Sequence, residues 1–181
     1  MSKFHNYLRL NRKHPKVYCD MDGVLVDFLK GANRVTKENG LGDNWLDVIN
    51  DDNELAWKII NKEGEGFWAN LDWLENGRKL WANINYYSPV ILSAYPYSTE
   101  NVQVKIDGIM GKKEWIKKHI GEEYSRTAII CAREDKNMFA DENSILIDDM
   151  EKNIKEWKRF GGIGILYKSY EKTMEELNEI L

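Results

Sequence analysis

Short apolar runs recur along this chain, separated by segments with helical spacing. Val17-Tyr18-Cys19 ends at Asp20, Val90-Ile91-Leu92 ends at Ser93, and Ala128-Ile129-Ile130-Cys131 forms a third run. Ile145-Leu146-Ile147 ends at Asp148-Asp149, and Ile163 to Tyr167 closes the series. None of them alternates apolar with polar positions. Continuous runs of this length predict strands covered on both faces, as in a parallel sheet. Between them, Met150, Ile154 and Trp157 recur at helical spacing before Gly161-Gly162. Tyr170, Met174, Leu177 and Leu181 predict an amphipathic C-terminal helix, and Trp115, Ile116 and Ile120 mark another after Gly111. This alternation predicts an α/β doubly wound domain with a parallel sheet of about five strands.

One stretch breaks the rhythm. From Phe28 to about Asn85 no strand pattern occurs. Trp45, Leu46, Val48 and Ile49, then Leu55, Trp57, Ile59 and Ile60, follow helical spacing. A stretch this long is not a simple loop. It predicts a helical cap subdomain over residues 29–84, inserted into a core made of residues 1–28 and 85–181.

Composition narrows the partners. The 181 residues suit one domain with a small insert, and 7 Trp, 9 Tyr and 5 Phe exclude a disordered acidic chain. A net charge of −4 leaves no global basic surface for a nucleic acid polymer. A small anionic substrate needs only a local positive site. No apolar run approaches the ~20 residues of a membrane helix, and the N-terminus lacks a secretory apolar stretch. The expectation is a cytoplasmic chain with no membrane partner. Cys19 and Cys131 lie in apolar runs and read as buried thiols of a reducing compartment. No CxxC or Cys/His cluster points to structural zinc. The first nineteen residues carry Lys3, Arg9, Arg12, Lys13 and Lys16 without an acid. That segment reads as a partner-binding arm, a weak presequence, or a solvated stretch with Phe4, Tyr7 and Leu8 packed down. His5, His14 and His119 show no ligand spacing and read as surface residues.

In an open parallel sheet, ligands bind at the carboxyl ends of the strands. Those ends carry Asp20 and Asp22, Ser93, Arg133, and Asp148 and Asp149. Four acids at one edge repel one another, and a hard divalent cation such as magnesium would offset them. Lys112, Arg133 and Lys136 would take the charge of a bound phosphate. Asp20-Met21-Asp22-Gly23 holds two carboxylates two residues apart where the chain starts to turn. One can attack phosphorus while the other serves as acid and base. Alone, the pattern reads equally as an acidic glycine turn. Asp27 is expected to turn back and tie this loop.

Taken together, these residues resemble the haloacid dehalogenase (HAD) superfamily of phosphohydrolases. Asp20 to Phe28, DMDGVLVDF, resembles its first motif, which implies Asp20 as nucleophile and Asp22 as acid/base. Ser93 matches the second motif, a phosphoryl-binding hydroxyl, and Ile145 to Asp149 matches the fourth, the metal-binding acids. The resemblance implies a three-layer Rossmannoid core and magnesium held by the Asp20 carboxylate, the Asp22 carbonyl oxygen and Asp149, with Asp148 supporting it through water. An Asp at position 22 implies phosphate monoester chemistry. The third-motif lysine has candidates in Gly111-Lys112-Lys113 and in Lys117-Lys118. Lys112 is preferred, because a residue at a helix start can point to the strand ends, and Lys113 is second.

Over most of residues 16–168 the chain is similar to one branch, the 5′(3′)-deoxyribonucleotidases. Asp20 to Leu25 with Asp27-Phe28, Lys112 three before Trp115, Arg133-x-x-Lys136, and Leu146 to Asp149 carry that likeness. It implies phosphate binding by Arg133 and Lys136, and a homodimer by analogy. Phe67-Trp68-Ala69-Asn70-Leu71 resembles the branch's aromatic cap segment, so Phe28, Phe67 and Trp68 are candidates to stack on a nucleobase, with core packing as the alternative. The chain departs from the branch at Ser93-Ala94-Tyr95-Pro96, which lacks a second hydroxyl, and between Gly77 and Asn85, which lacks Pro-Gly. The expected substrate is a small phosphate ester, first a nucleoside monophosphate. A sugar phosphate, or a non-catalytic binding role on the same fold, are the alternatives.

Overall fold

A computed structural model describes residues 15–96 and 101–181 of the chain. Residues 1–14, with Phe4, Tyr7, Leu8, His5 and His14, lie outside the described residues, while Lys16 of that basic segment opens the first strand. Five strands, β1 (Lys16–Cys19), β2 (Val90–Ala94), β3 (Ile129–Cys131), β4 (Ser144–Asp148) and β5 (Ile163–Leu166), form one sheet in the order β3-β2-β1-β4-β5. Every pairing is parallel. Tyr18 pairs with Val90 and Leu146, and Cys19 with Ile91 and Ile147.

The register explains the unbroken apolar runs. Side chains alternate across a strand, yet here both faces are covered. Val17, Cys19, Ile91, Ile145 and Ile147 join the larger apolar cluster on one face. Tyr18, Leu92 and Leu146 meet Ile154 and Trp157 in a second cluster on the other. The two helical residues of that second cluster come from α8 (Glu151–Arg159), while α9 (Tyr170–Ile180) contributes Leu177 to the first.

Five α-helices and a short 3₁₀ turn, Asn85–Tyr87, lie between β1 and β2. The α-helices are α1 (Phe28–Glu38), α2 (Trp45–Asp51), α3 (Asn53–Lys62), α4 (Glu65–Ala69) and α5 (Gly77–Ile84). Asp27 caps α1 by accepting from Lys30 N–H at 2.9 Å, so its carboxylate faces forward into the helix rather than back onto the loop. Trp115 Nε1 donates to Leu71 O at 2.7 Å and ties the return limb of this segment to the sheet side.

Between β2 and β3 run α6 (Val102–His119) and α7 (Glu122–Thr127). The helix expected after Gly111 therefore starts nine residues earlier, and Lys112 sits in its interior rather than at its start. Gly111 is a contact point instead of a boundary. A Cβ there would lie 2.4 Å from Glu65 O and 2.7 Å from Trp68 Cβ, so only glycine lets α6 approach α4 this closely. His119 is half-buried rather than on the surface, with its ring 4.7 Å from Trp115 and 6.0 Å from Trp73. Burial lowers its pKa. Cys19 is buried as expected, but Cys131 is only half-buried, because β3 is an edge strand; both thiols are free. No helix among the described residues is long and apolar enough to cross a membrane.

The strand order sets the site. The chain leaves β1 toward β2 and β3 on one side, then returns to β4 and β5 on the other. The crevice where the direction reverses opens at the carboxyl end of β1.

Candidate active site

Asp20 emerges at that crevice. Its N–H donates to Ile147 O at 2.8 Å, so β4 holds the chain one residue past the strand. The loop then closes on itself: Leu25 N–H and Val26 N–H both donate to Met21 O, and Gly23 N–H donates to Val26 O. Gly23 takes a φ of +72°, and a Cβ there would sit 2.2 Å from Asp149 Oδ2. Both the backbone and the neighbouring acid require glycine. The turn brings Asp20 and Asp22 to face β2 and β4.

Asp20, Asp148 and Asp149 each place an oxygen within 4.8 Å of the others. Lys136 lies between two of them, 2.9 Å from Asp20 Oδ2 and 2.8 Å from Asp148 Oδ2. It comes from the 3₁₀ segment Arg133–Phe139 and is almost fully buried. Burial opposes its charge, but Asp20 and Asp148 outweigh that and hold its pKa above the ordinary lysine value. Asp148 is fully buried and saturated. Its Oδ1 accepts from Met150 N–H and Asn153 Nδ2, and its Oδ2 from Lys136 Nζ and Asn153 Nδ2. Burial and the Asp20 charge push its pKa up, and Lys136 pulls it back. Asp149 is exposed at the mouth, yet its carboxylate lies over Gly23 and faces the other acids. Desolvation, then Asp20 and Asp148, push it up to about 7.

Lys112 is fully buried and serves a different pair. Its Nζ contacts Asp22 Oδ2 and lies 3.0 Å from Ser93 Oγ and 2.6 Å from Ala94 O. It also sits 4.8 Å above the Trp68 ring. Lys113 is half-buried and makes none of these contacts. Burial, partly offset by Lys112, raises the Asp22 pKa, and Asp22 Oδ1 is buried without a hydrogen-bond partner. A carboxyl oxygen in that setting favours the protonated form. Arg133 stands apart from the carboxylate cluster: its Nη1 donates to Asn153 Oδ1 at 3.1 Å and Glu156 Oε2 at 3.0 Å.

A cleft of about 440 Å³ opens over these groups. Asp20, Asp22, Asp149, Lys136 and Arg133 line one part, and Phe28, Trp45, Trp57 and Trp68 the other. Phe28 stacks on Trp68 with centroids 5.8 Å apart at 21° and meets Trp45 edge-on at 5.2 Å. Phe67 does not line the cleft. It is buried, edge-on to both Phe28 and Trp68, and supports them as core. Its helix α4 turns one of two adjacent aromatics to the cleft and the other inward.

The structure thus gathers Asp20, Asp22, Ser93, Lys112, Lys136, Asp148 and Asp149 at the strand ends, with Arg133, Phe28 and Trp68 on the cleft wall. Sequence reasoning missed Trp45 and Trp57, whose spacing read as helix core. It also missed Asn153, which falls on the Met150, Ile154, Trp157 stripe. A polar residue on an apolar stripe was the signal.

The cluster's chemistry fits a hard cation. All its donors are oxygen, and four carboxylates face only two ammonium groups. Asp148 has its lone pairs committed, so Asp20 and Asp149 offer the open oxygens.

No protein-family model matches the sequence, and no curated protein matches it. Solved structures do. A hydrolase from Streptococcus pneumoniae TIGR4 is 13% identical, with 92% of this chain and 99% of that chain covered and a TM-score of 0.54. A HAD family hydrolase from Deinococcus radiodurans R1, solved with bound phosphate and sodium, is 12% identical, with 92% and 96% covered and a TM-score of 0.51. At these identities what is shared is the fold: a HAD-like α/β core on a parallel five-stranded sheet.

Proposed function

We propose that this chain is a magnesium-dependent phosphatase of small phosphate monoesters, with a (deoxy)nucleoside monophosphate as substrate. The observation that carries the reading is the paired arrangement at the crevice, with Asp20 on Lys136 and Asp22 on Lys112 and Ser93. Each carboxylate has its own cation and its own surroundings, and two carboxylates in different surroundings can take different roles.

Asp20 attacks phosphorus in line, its carboxylate oxygen forming the new P–O bond as the bond to the leaving oxygen breaks. Asp22, whose pKa burial raises, serves as the acid that gives a proton to that leaving oxygen. Water then attacks the aspartyl phosphate, Asp22 takes the water's proton, and the Asp20–phosphorus bond breaks to release phosphate. Lys112 and Ser93 bind the phosphoryl oxygens, and Lys136 holds the Asp20 carboxylate in place by its ion pair at 2.9 Å. Arg133 takes up remaining anionic charge. Magnesium would be held by Asp20, Asp149 and the Asp22 carbonyl, with Asp148 acting only through its contact with Lys136, and would supply charge neutralisation for the transferring group.

The aromatic wall favours a nucleotide over a sugar phosphate. Phe28 and Trp68 line the cleft with apolar ring surface that suits contact with a base, whereas a sugar's hydroxyls would be buried against rings without partners. We assign residues 29–84 as a cap over a core of 1–28 and 85–181, excluding water while the ester bond breaks.

The test is phosphate release, with magnesium, from a panel of ribo- and deoxyribonucleoside monophosphates and sugar phosphates. Preference for a nucleotide is expected. Turnover of sugar phosphates alone would overturn the substrate and keep the chemistry. No turnover of any ester would leave a binding protein.

A further inference from the structure

Two residues of α8, one turn apart, grip the same guanidinium nitrogen. Arg133 Nη1 donates to Asn153 Oδ1 and to Glu156 Oε2. Its other guanidinium nitrogens make no hydrogen bond among the described residues. Arg133, Asn153 and the acids share one cleft wall, so the unengaged edge of the guanidinium belongs to a wall open to a ligand.

Asn153 is also committed at its other end. Its Nδ2 donates to both oxygens of Asp148, at 2.9 Å each. The amide can sit only one way round. Reversed, its oxygen would face two carboxylate oxygens and its NH₂ would face a guanidinium, both repulsive. Asn153 is nearly fully buried, so neither loss is repaired by water. The result is an unbroken chain of charged and amide contacts. It runs from Glu156 through Arg133, Asn153, Asp148 and Lys136 to Asp20.

We propose that Asn153 and Glu156 are positioning residues: together they clamp Arg133 so that its unengaged edge receives an anion, and Asn153 locks that anion site to Asp148, Lys136 and Asp20. This rests on the phosphatase reading for the identity of the anion, a phosphate. The geometry predicts that anion affinity at Arg133 and the turnover set by Asp20 share one residue, Asn153, while Glu156 serves the first alone.

The experiment uses the full magnesium-loaded chain, with inorganic phosphate as the binding probe and the best ester of the panel for turnover. Asn153→Ala is expected to weaken phosphate binding about tenfold and to lower kcat. In an Arg133→Ala background, Asn153→Ala should change phosphate affinity less than twofold yet still lower kcat, because its first arm has lost its target. Glu156→Gln should raise KM more than it lowers kcat. Equal, additive losses of phosphate affinity from Asn153→Ala with and without Arg133 would overturn the proposal. If Asn153→Ala does not fold, Glu156→Gln decides, and an unchanged phosphate affinity in that variant overturns the clamp. Phosphate binding without turnover by the unaltered chain would sink the phosphatase reading alone, and the same variants would still test the clamp on phosphate.

Discussion

The cleft has two walls built on different physics. On the sheet wall the lysines and most of the acids have directional partners, and Asp149 is the acid left open. Lys136 bridges two acids, Lys112 holds Asp22 and Ser93, and all four lone-pair sites of Asp148 are occupied. On the helical wall the partners are rings. Phe28, Trp45, Trp57 and Trp68 meet at centroid distances between 5.2 and 6.1 Å, with tilts from 21° to 85°. Hydrogen-bonded charges in a buried setting lose most when one partner goes. Ring contacts scale with area and tolerate exchange. The sheet wall is therefore suited to one chemistry and the helical wall to adjustable recognition.

The sharpest way to break this contrast is Asp20→Asn. It should reduce turnover about a thousandfold or more, read as phosphate release with magnesium. Its melting temperature should hold or rise, since one of four crowded acids is gone and Lys136 keeps Asp148 as its partner. A variant that melts early would instead make Asp20 structural.

Gly23→Ala should come next. The positive φ and the overlap with Asp149 cost about 1–3 kcal/mol and displace the acid. Metal affinity should fall about tenfold to a hundredfold, measured as the magnesium concentration that half-saturates turnover. Retained affinity would remove Asp149 from the metal site.

A pH series sharpens the metal assignment. Asp149 has its pKa raised to about 7. A carboxyl raised on folding binds its proton more tightly in the folded chain than in the unfolded one. Without metal, its contribution to stability is present at low pH and is lost as pH climbs toward about 7. Magnesium needs the ionised form, so its apparent affinity should fall up to about tenfold per unit below pH 7. Magnesium should thus raise the melting temperature more at pH 8 than at pH 6. Equal shifts would mean that the metal does not compete with that proton.

The smallest effect belongs to the helical wall. Trp68→Ala should raise KM for a nucleotide about tenfold, the loss of one aromatic contact with the base, with a small aryl phosphate little affected. Equal losses on both would make Trp68 a packing residue or a seat for Lys112.

Much of the fold was legible because its signals are local. The strands were readable since both faces of a parallel sheet are covered and each run is apolar throughout. Asp20-x-Asp22-Gly23 and Asp148-Asp149 were readable since each lies within a few residues at a strand end. The start of α6 was not. Its first half presents Gly108 and Gly111 to its neighbours in place of large side chains, so its periodicity fades before Trp115. Phe67 and Trp68 are adjacent in sequence, and no local rule says which of the two faces a cleft.

The pairing of lysines with acids belongs to the tertiary structure alone. Lys112 meets Asp22 across 90 residues of chain, and Trp115 meets Leu71 across 44. Sequence by itself determined the strand ends and the acids they carry, because those depend on period and spacing. Which lysine serves which carboxylate, where Asn153 reaches and which rings line the cleft depend on distances between elements. Those distances are set when helices dock on a sheet, a step that follows from burial summed over the whole chain.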